Sequence, residues 1–396
     1  MPMYSVLTGS FPQTDTMATV TRVQSPAATA TKRMLSLDVL RGVTIAFMIM
    51  VNNNGGHAWW PFEHSAWNGW TPTDLVFPTF LFVVGVSIVF SMESRLSRGV
   101  APSAMLPHIL RRFVILFCLG LFVNGFPTFP WAHLRIYGVL QRIAICYLIA
   151  SLLYLWDRRA TSKIVILVGA LIGYWIIMRY VPVPGYGVPG RDIPLLDKDA
   201  NMVAWLDRHI FPGRLYEGVR DPEGLLSDLP ALGTTLLGML TAMWLRTNRT
   251  LRQKWVGVLS GGIVCILLGE LWNPWFPINK KLWTSSYVLF AAGVSLLVWA
   301  FLMWLSEIRG WNKGWTAFWL VFGMNAIAAY VLSEVLAALG WTIHVGHVTL
   351  EQSVYGHIFS GIHPPGLASL LYSICFMLVC WAIMLILYRR KIFLKV

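Results

Sequence analysis

Charge is what this chain of 396 residues has little of. Asp, Glu, Lys and Arg make up 12% of it against 56% hydrophobic residues, and the mean hydropathy is +0.61. So little charge suits lipid better than water on all sides, which argues against a soluble domain and makes a multispanning membrane protein the leading class. Cysteine is scarce as well. Cys118, Cys146, Cys265, Cys375 and Cys380 lie mostly in apolar runs with no C-x-x-C spacing, so they read as small buried residues and exclude a disulfide framework. The chain has no H-E-x-x-H, no G-x-S-x-G, no Walker A loop and no Rossmann glycine fingerprint. His344 and His347, with His357 and His363 beyond, have no cysteine or strong carboxylate pattern around them, so no metal is expected. Residues 1–34 contain no sustained apolar run, and their Ser, Thr, Ala and Pro read as a disordered cytosolic leader, not a signal peptide.

What is present is a series of long apolar runs. Candidate spans are 35–54, 73–92, 107–124, 134–155, 163–181, 229–245, 254–271, 285–305, 315–336 and 366–388, each near the length that crosses hydrocarbon. The expected fold class is an all-α, polytopic membrane bundle of about ten helices, with 35–396 forming one transmembrane domain. The net charge of +13 forms no basic helix interleaved with aromatics, so no nucleic acid partner is expected. Its clusters fall at Arg22, Lys32 and Arg33; at Arg95, Arg98, Arg111 and Arg112; at Arg158, Arg159 and Lys163; at Arg246, Arg249, Arg252 and Lys254; at Arg309 and Lys313; and from Arg389 to Lys395. All lie on the side of the N-terminus, which places both termini in the cytosol. Segments 55–72, 125–133, 182–228, 272–284 and 337–365 are then outer. They hold most of the prolines and many tryptophans, as reentrant or interfacial structure would, and the extended loop 182–228 carries a short amphipathic helix around Ala200–His209.

Ionisable groups at membrane depth face a cavity or a partner. In "SLDVLRGVTIAF", Asp38 and Arg41 stand three apart on one helical face near the inner entrance. They read as a cap with a structural ion pair, or as a site where Arg41 meets an anionic ligand. At the other end of the first span, "VNNNGGHAWWPFEHSAWNGWTPTD" gathers Asn52, Asn53, Asn54, His57, Glu63, His64, Asn68 and Asp74. Thr71 or Thr73 can cap the second span, with Pro72 near its start and Asp74 in its first turn. A histidine among amides, a carboxylate and two helix ends is a site candidate. Further polar groups are Arg135, Gln141 and Arg142; Asp221, Glu223 and Asp228; Glu270, Asn273, Asn279, Lys280 and Lys281; and Asn325 and Glu334.

The ordered set "RMLSLDVLRG", "VNNNGG", "HSAWNGWTPTDLVFPTFLFVVGVS", "LQRIA", "DPEGLLSDLPAL", "NKKLWTSSYVL" and "GMNAIAAYVLSE" resembles the bacterial branch of the heparan-alpha-glucosaminide N-acetyltransferase family, from about Arg33 to the C-terminus. The resemblance implies a multispanning enzyme that takes acetyl from cytosolic acetyl-CoA and delivers it to an amine on a sugar at the far side. It implies a catalytic histidine before W-N-G, which here is His64, with Asn68 and Asp74 in the same motif. It also implies location in a bacterial inner membrane and an amino-sugar acceptor, such as a saccharide with terminal glucosamine. Membrane lipid is a further expected partner, and a homodimer is left open.

The mechanism expected on this basis has neutral His64 removing a proton from the acceptor amine as its nitrogen attacks the thioester, since imidazoles ordinarily titrate near neutrality. Glu63, Asp74 or Asp228 would orient it, and Asn52, Asn53 or Asn68 would donate to the oxyanion. Arg41, Arg111, Arg112 and Arg246, with Asp38 beside Arg41, are the candidates for the donor's end. Asn52, Asn53, Glu63, Asp228, Glu270, Asn279, Lys280 and Asn325 are the candidates for the acceptor. An acetyl-histidine route uses the same residue. The rival classes are a transporter for an amino sugar or another small polar solute, and a noncatalytic scaffold.

Overall fold

Apolar runs in hydrocarbon must satisfy their own backbone groups, and this chain does so with helices. The computed structural model describes residues 34–211, 214–312 and 314–394; the expected leader, apart from Met34, lies outside them. The helices are α1 (Leu35–Asn52), α2 (Val76–Leu96), α3 (Pro102–Gly125), α4 (Val139–Trp156), α5 (Ala160–Tyr180), α6 (Met202–Ile210), α7 (Asp228–Leu245), α8 (Leu251–Trp272), α9 (Ser285–Met303), α10 (Trp315–Gly323), α11 (Ala326–Thr342), α12 (Leu350–Ile358) and α13 (Pro365–Arg389). The only sheet among the described residues is a hairpin pairing His344–Val345 with Val348–Thr349.

Eight of these helices are long and apolar enough to cross a membrane. The pair α10 and α11, bent by 77° where they meet, makes a ninth if it is one span. The expected span 229–245 is α7, which falls outside that set because Asp228, Pro230 and three threonines dilute it. Lipid apolarity is not required of it, since 12 of its 18 residues are buried against other helices. By contrast α3 and α8 bury only 17% of their apolar windows and face outward. Cys118 on α3 and Cys375 on α13, whose window is 28% buried, are exposed, correcting the expectation that all five cysteines are buried; Cys146 and Cys380 are buried and Cys265 partly so. An all-apolar helix gives no periodic signal of which face meets lipid.

Small residues let the central helices meet backbone to backbone. A Cβ on Gly85 of α2 would lie 2.0 Å from the Thr235 carbonyl oxygen of α7, and one on Gly238 of α7 would lie 2.1 Å from that of Phe82. The same reciprocity joins α1 to α10. There a Cβ on Gly42 would lie 1.9 Å from the Trp319 carbonyl oxygen, and one on Gly323 would lie 2.1 Å from that of Asp38. The expected amphipathic helix of the outer loop is α6, capped by Asn201, whose side chain accepts from Ala204 N at 2.9 Å. Its Val203 packs with Tyr174, Met178, Leu196 and Phe276, so the loop is a folded cover over this end of the bundle.

Candidate active site

The segment between α1 and α2 returns on itself because one carboxylate collects its donors. Pro72 opens a 3-10 turn (Pro72–Leu75) that leads into α2. Within it Asp74 Oδ2 accepts from Thr71 N and Ser65 N, each at 3.0 Å, and from Thr71 Oγ1 at 3.1 Å. Its other oxygen lies 2.7 Å from His64 Nδ1. Asp74 is buried, whereas the His64 side chain is 44% exposed. A carboxylate only accepts, so Nδ1 carries the ring proton and Nε2 is left as the basic nitrogen. Tyr287 Oη of α9 donates to the Asp74 carbonyl at 2.5 Å and anchors the turn from below.

A second loop, between α8 and α9, closes over this turn. Gly69 N donates to Ile278 O at 2.8 Å, at a φ of +95° that glycine adopts freely. Asn279 Nδ2 donates to Asn68 Oδ1 at 3.1 Å, while Asn279 Oδ1 accepts from Leu282 N at 3.0 Å. The loop presents Lys280, whose Nζ lies 3.0 Å from His64 Nδ1, 3.4 Å from Nε2 and 3.6 Å from Asp74 Oδ1. Burial pulls the Lys280 ammonium below the ordinary lysine range, and the Asp74 carboxylate partly offsets this. Trp283 ends the turn at a φ of +52°, unusual for a bulky residue, and is held there by Thr234 Oγ1 at 3.1 Å and by Arg142, 4.9 Å from its ring centre.

Behind the site, the loop 182–228 is tied to α4 and to the segment that precedes it by two arginines. Arg135 grips Asp221 at 2.7 and 2.6 Å and Glu223 at 2.5 Å. Arg142, fully buried, donates to Asp228 at 2.8 Å and to the Gly224 carbonyl at 3.1 Å. In α6, Asp207 accepts from Leu225 N, but its Oδ2 is buried without a partner, and burial pushes its carboxyl up to about 7.

At the opposite, basic end a cavity of about 390 Å³ opens between α1, α2, α3, α4 and the bend of α10 and α11. Arg41, Arg95, His108 and Arg112 line it, with Phe80, Leu116 and Ile143 deeper. Arg41 is braced by Asp38 at 3.0 Å and Ser87 Oγ at 2.8 Å, Arg95 lies 2.8 Å from His108 Nε2, and Arg112 stacks 4.5 Å over Tyr147 with its Nε buried and unpartnered. Three guanidiniums around one cavity match the oxygens of a polyphosphate. Along α2 the lining runs from Arg95 to Phe80, about 22 Å of helix, and Phe80 is about 9 Å of helix from Asp74.

With this layout established, the family model described as heparan-alpha-glucosaminide N-acetyltransferase, catalytic, matches residues 33–270. The chain belongs to the heparan-alpha-glucosaminide N-acetyltransferase family. The mouse and human (Mus musculus and Homo sapiens) proteins of that name are each 29% identical to it over 423 and 421 aligned positions, covering 92% of this chain. The chain spans about 60% of the length of these curated relatives. The matched region holds His64, Asp74, Arg142 and the arginines of the cavity, Arg41, Arg95 and Arg112; Lys280 and the cavity wall at the bend of α10 and α11 lie beyond it.

Within this family member the structure sorts the candidate residues. His64, Asp74, Asn68, Asn279 and Lys280 come together, and of the three carboxylates considered for orienting His64, Asp74 is the one in contact. Asp228 instead serves Arg142, and Glu63 is exposed and supplies its carbonyl to Thr71 Oγ1 at 2.6 Å. Asn52 reaches Glu334 at 3.5 Å. Asn53 turns toward α13, accepting from Ser373 Oγ at its carbonyl. Glu270 is exposed at the end of α8, where its carboxylate accepts from Asn273 Nδ2 at 3.2 Å. Asn325 sits at the α10 to α11 bend, where its amide holds Ile392 O at 3.1 Å and Leu394 N at 2.8 Å near the basic-end cavity, not among the outer residues. At that cavity Arg41 and Arg112 are present, but Arg246 pairs with Glu93 at 3.1 Å and Arg111 is exposed. Sequence reasoning missed Arg95 and His108 as lining. Their signal was position alone, flanking the turn that joins α2 to α3.

Proposed function

We propose that the chain is an acetyl-CoA-dependent N-acetyltransferase that moves acetyl from a cytosolic donor to the amine of an amino sugar, such as terminal glucosamine, on the other side of a bacterial inner membrane. The observation that carries this reading is a carboxylate-held histidine at one end of the bundle and an arginine-lined cavity at the other. His64 Nε2 takes a proton as the amine nitrogen attacks the thioester carbonyl. Asp74 keeps the Nδ1 proton in place and stabilises the imidazolium that forms. Arg41, Arg95 and Arg112 hold the donor's phosphates, and the acyl arm extends past Phe80 toward His64. The basic clusters support cytosolic termini, with the loop 182–228 outside.

The test is purified protein with acetyl-CoA and a panel of amino sugars, with wild type compared against His64→Ala. Acetylated sugar from wild type alone supports the reading; no thioester consumption with any amine overturns it. Labelled acetyl-CoA without acceptor separates the routes, since direct transfer leaves no labelled protein and an acetyl-histidine route does. The 77° bend between α10 and α11 favours one alternative, because transporters place discontinuous helices at their sites. Uptake of unmodified amino sugar into proteoliposomes, with acetyl-CoA untouched, is the result that reading requires.

A further inference from the structure

The acyl-transfer reading gives the amine's proton a destination but supplies none for the sulfur. The geometry points to Lys280 as the general acid that protonates the departing thiolate and is then recharged by His64. This rests on the acyltransferase reading above.

Lys280 and His64 form a pair of nitrogen bases over one carboxylate. Nζ lies within 3.4 Å of both ring nitrogens, and Asp74 Oδ1 faces both groups, at 2.7 Å from the ring and 3.6 Å from the ammonium. Asp74 balances one positive charge. At rest that charge is the ammonium: the ring proton on Nδ1 is committed to Asp74, and Nε2 keeps a lone pair 3.4 Å from Nζ. When His64 takes the proton of the attacking amine, two cations stand 3.4 Å or less apart against one anion, in a site where screening by water is reduced. The group best placed to relieve this is Lys280. The tetrahedral intermediate collapses, the C–S bond breaks, and the sulfur's electron pair takes a proton from Nζ, giving free thiol and amide. The neutral amine of Lys280 then accepts the proton held on His64 Nε2, restoring ammonium and neutral imidazole with no net change in the protein. The balance is amine plus thioester to amide plus thiol.

The neighbouring lysine shows that this placement is particular to Lys280. Lys281 is one residue on and turns away to Glu217 at 2.7 Å. The loop also holds Lys280 firmly. Its carbonyl accepts from Trp283 N at 3.0 Å, Asn279 on its other side is bonded to both Asn68 and Leu282, and Trp283 is fixed at its positive φ by contacts from α7 and α4. A side chain serving only as a solvated charge needs none of this construction.

The experiment varies the leaving group. Lys280→Arg keeps the positive charge and the donors but does not give up a proton in this range. With acetyl-CoA, its kcat is expected to fall by about 100-fold with the donor KM within about twofold of wild type, the scale of a lost general acid. With an S-aryl thioacetate, whose thiolate leaves without protonation, the same variant should fall by less than about fivefold. His64→Ala should lose the same factor on both donors, since the amine's proton has to go either way. Lys280→Met is expected to follow Lys280→Arg, and if it does not fold, Lys280→Arg with an unchanged melting curve carries the comparison alone. Equal losses on both thioesters for Lys280→Arg overturn the assignment and make Lys280 a positioning or acceptor-binding residue, while leaving acyl transfer intact. A wild type that consumes neither thioester overturns the acyltransferase reading and this proposal with it.

Discussion

A carboxylate that accepts from two backbone amides, a hydroxyl and a ring N–H cannot turn, and this constraint makes Asp74 sensitive to its smallest change. In Asp74→Asn the amide oxygen is needed where Ser65 and Thr71 converge, so the NH2 group faces His64 Nδ1. Nδ1 must then accept, the ring proton moves to Nε2, and the base is lost. The expected fall in kcat is on the order of 10³-fold with the protein still folded, measured as sugar acetylation beside a melting curve. At the other end, Arg112→Ala removes a guanidinium whose Nε has no protein partner; the donor KM should rise roughly 10-fold or more, with the acceptor KM unchanged. Asp207 gives a pH signature. Its carboxyl titrates near 7 when folded and near 3.8 when unfolded, so between those values the folded state binds more protons. Stability contributed by the neutral acid is complete below about 4 and is lost as pH rises through about 7. Asp207→Asn should flatten thermal stability across that window and raise Tm at pH 8 by a few degrees. A variant that melts below wild type at pH 8 would show that the charged form is needed.

At the scale of elements, the helices are separated by contacts too close for side chains. Gly85→Val places a branched side chain where even a Cβ would lie 2.0 Å from a carbonyl oxygen of α7. The expected cost is about 3 kcal/mol or more, read as loss of a monodisperse peak in detergent. Gly173, whose added Cβ meets nothing within 4 Å, should accept alanine without loss. The helices themselves were legible because apolar runs broken by charge, proline and polar loops have one physical solution in lipid, and even the polar α7 shows as an apolar stretch beginning at 229. Helix rotation was not legible, and that is why the exposure of Glu270 and of Cys118 was missed. Asn325 was misplaced because the run 315–336 reads as one straight span, and nothing in its apolarity marks a 77° bend. The cluster at His64 was half legible. Asp74 lies 10 residues away, within one motif, but choosing it over Glu63 and Asp228 needed the folded turn. Lys280 comes from 216 residues away and owes its place to a loop whose register depends on Gly69 and Asn279.

For the whole molecule, the two ends differ in kind. One carries short basic turns and the arginine-lined cavity; the other carries a folded cover and the histidine. Cysteine labelling in intact cells tests the sidedness. After Cys118→Ala and Cys375→Ala remove the exposed thiols, Ser97→Cys in the α2 to α3 turn should react only once the membrane is opened, and Tyr186→Cys in the outer loop should react at once. Labelling of both from the same side would overturn the proposed topology. The reciprocal glycine contacts have a mechanical consequence. A helix with no room for a methyl group between itself and its neighbour cannot ratchet past it, and α2, which begins at the Asp74 turn, is seated on α7 in this way. On the proposed function, His64 then stays with the α2–α7 pair, and it is the acyl group that makes the journey while the base waits.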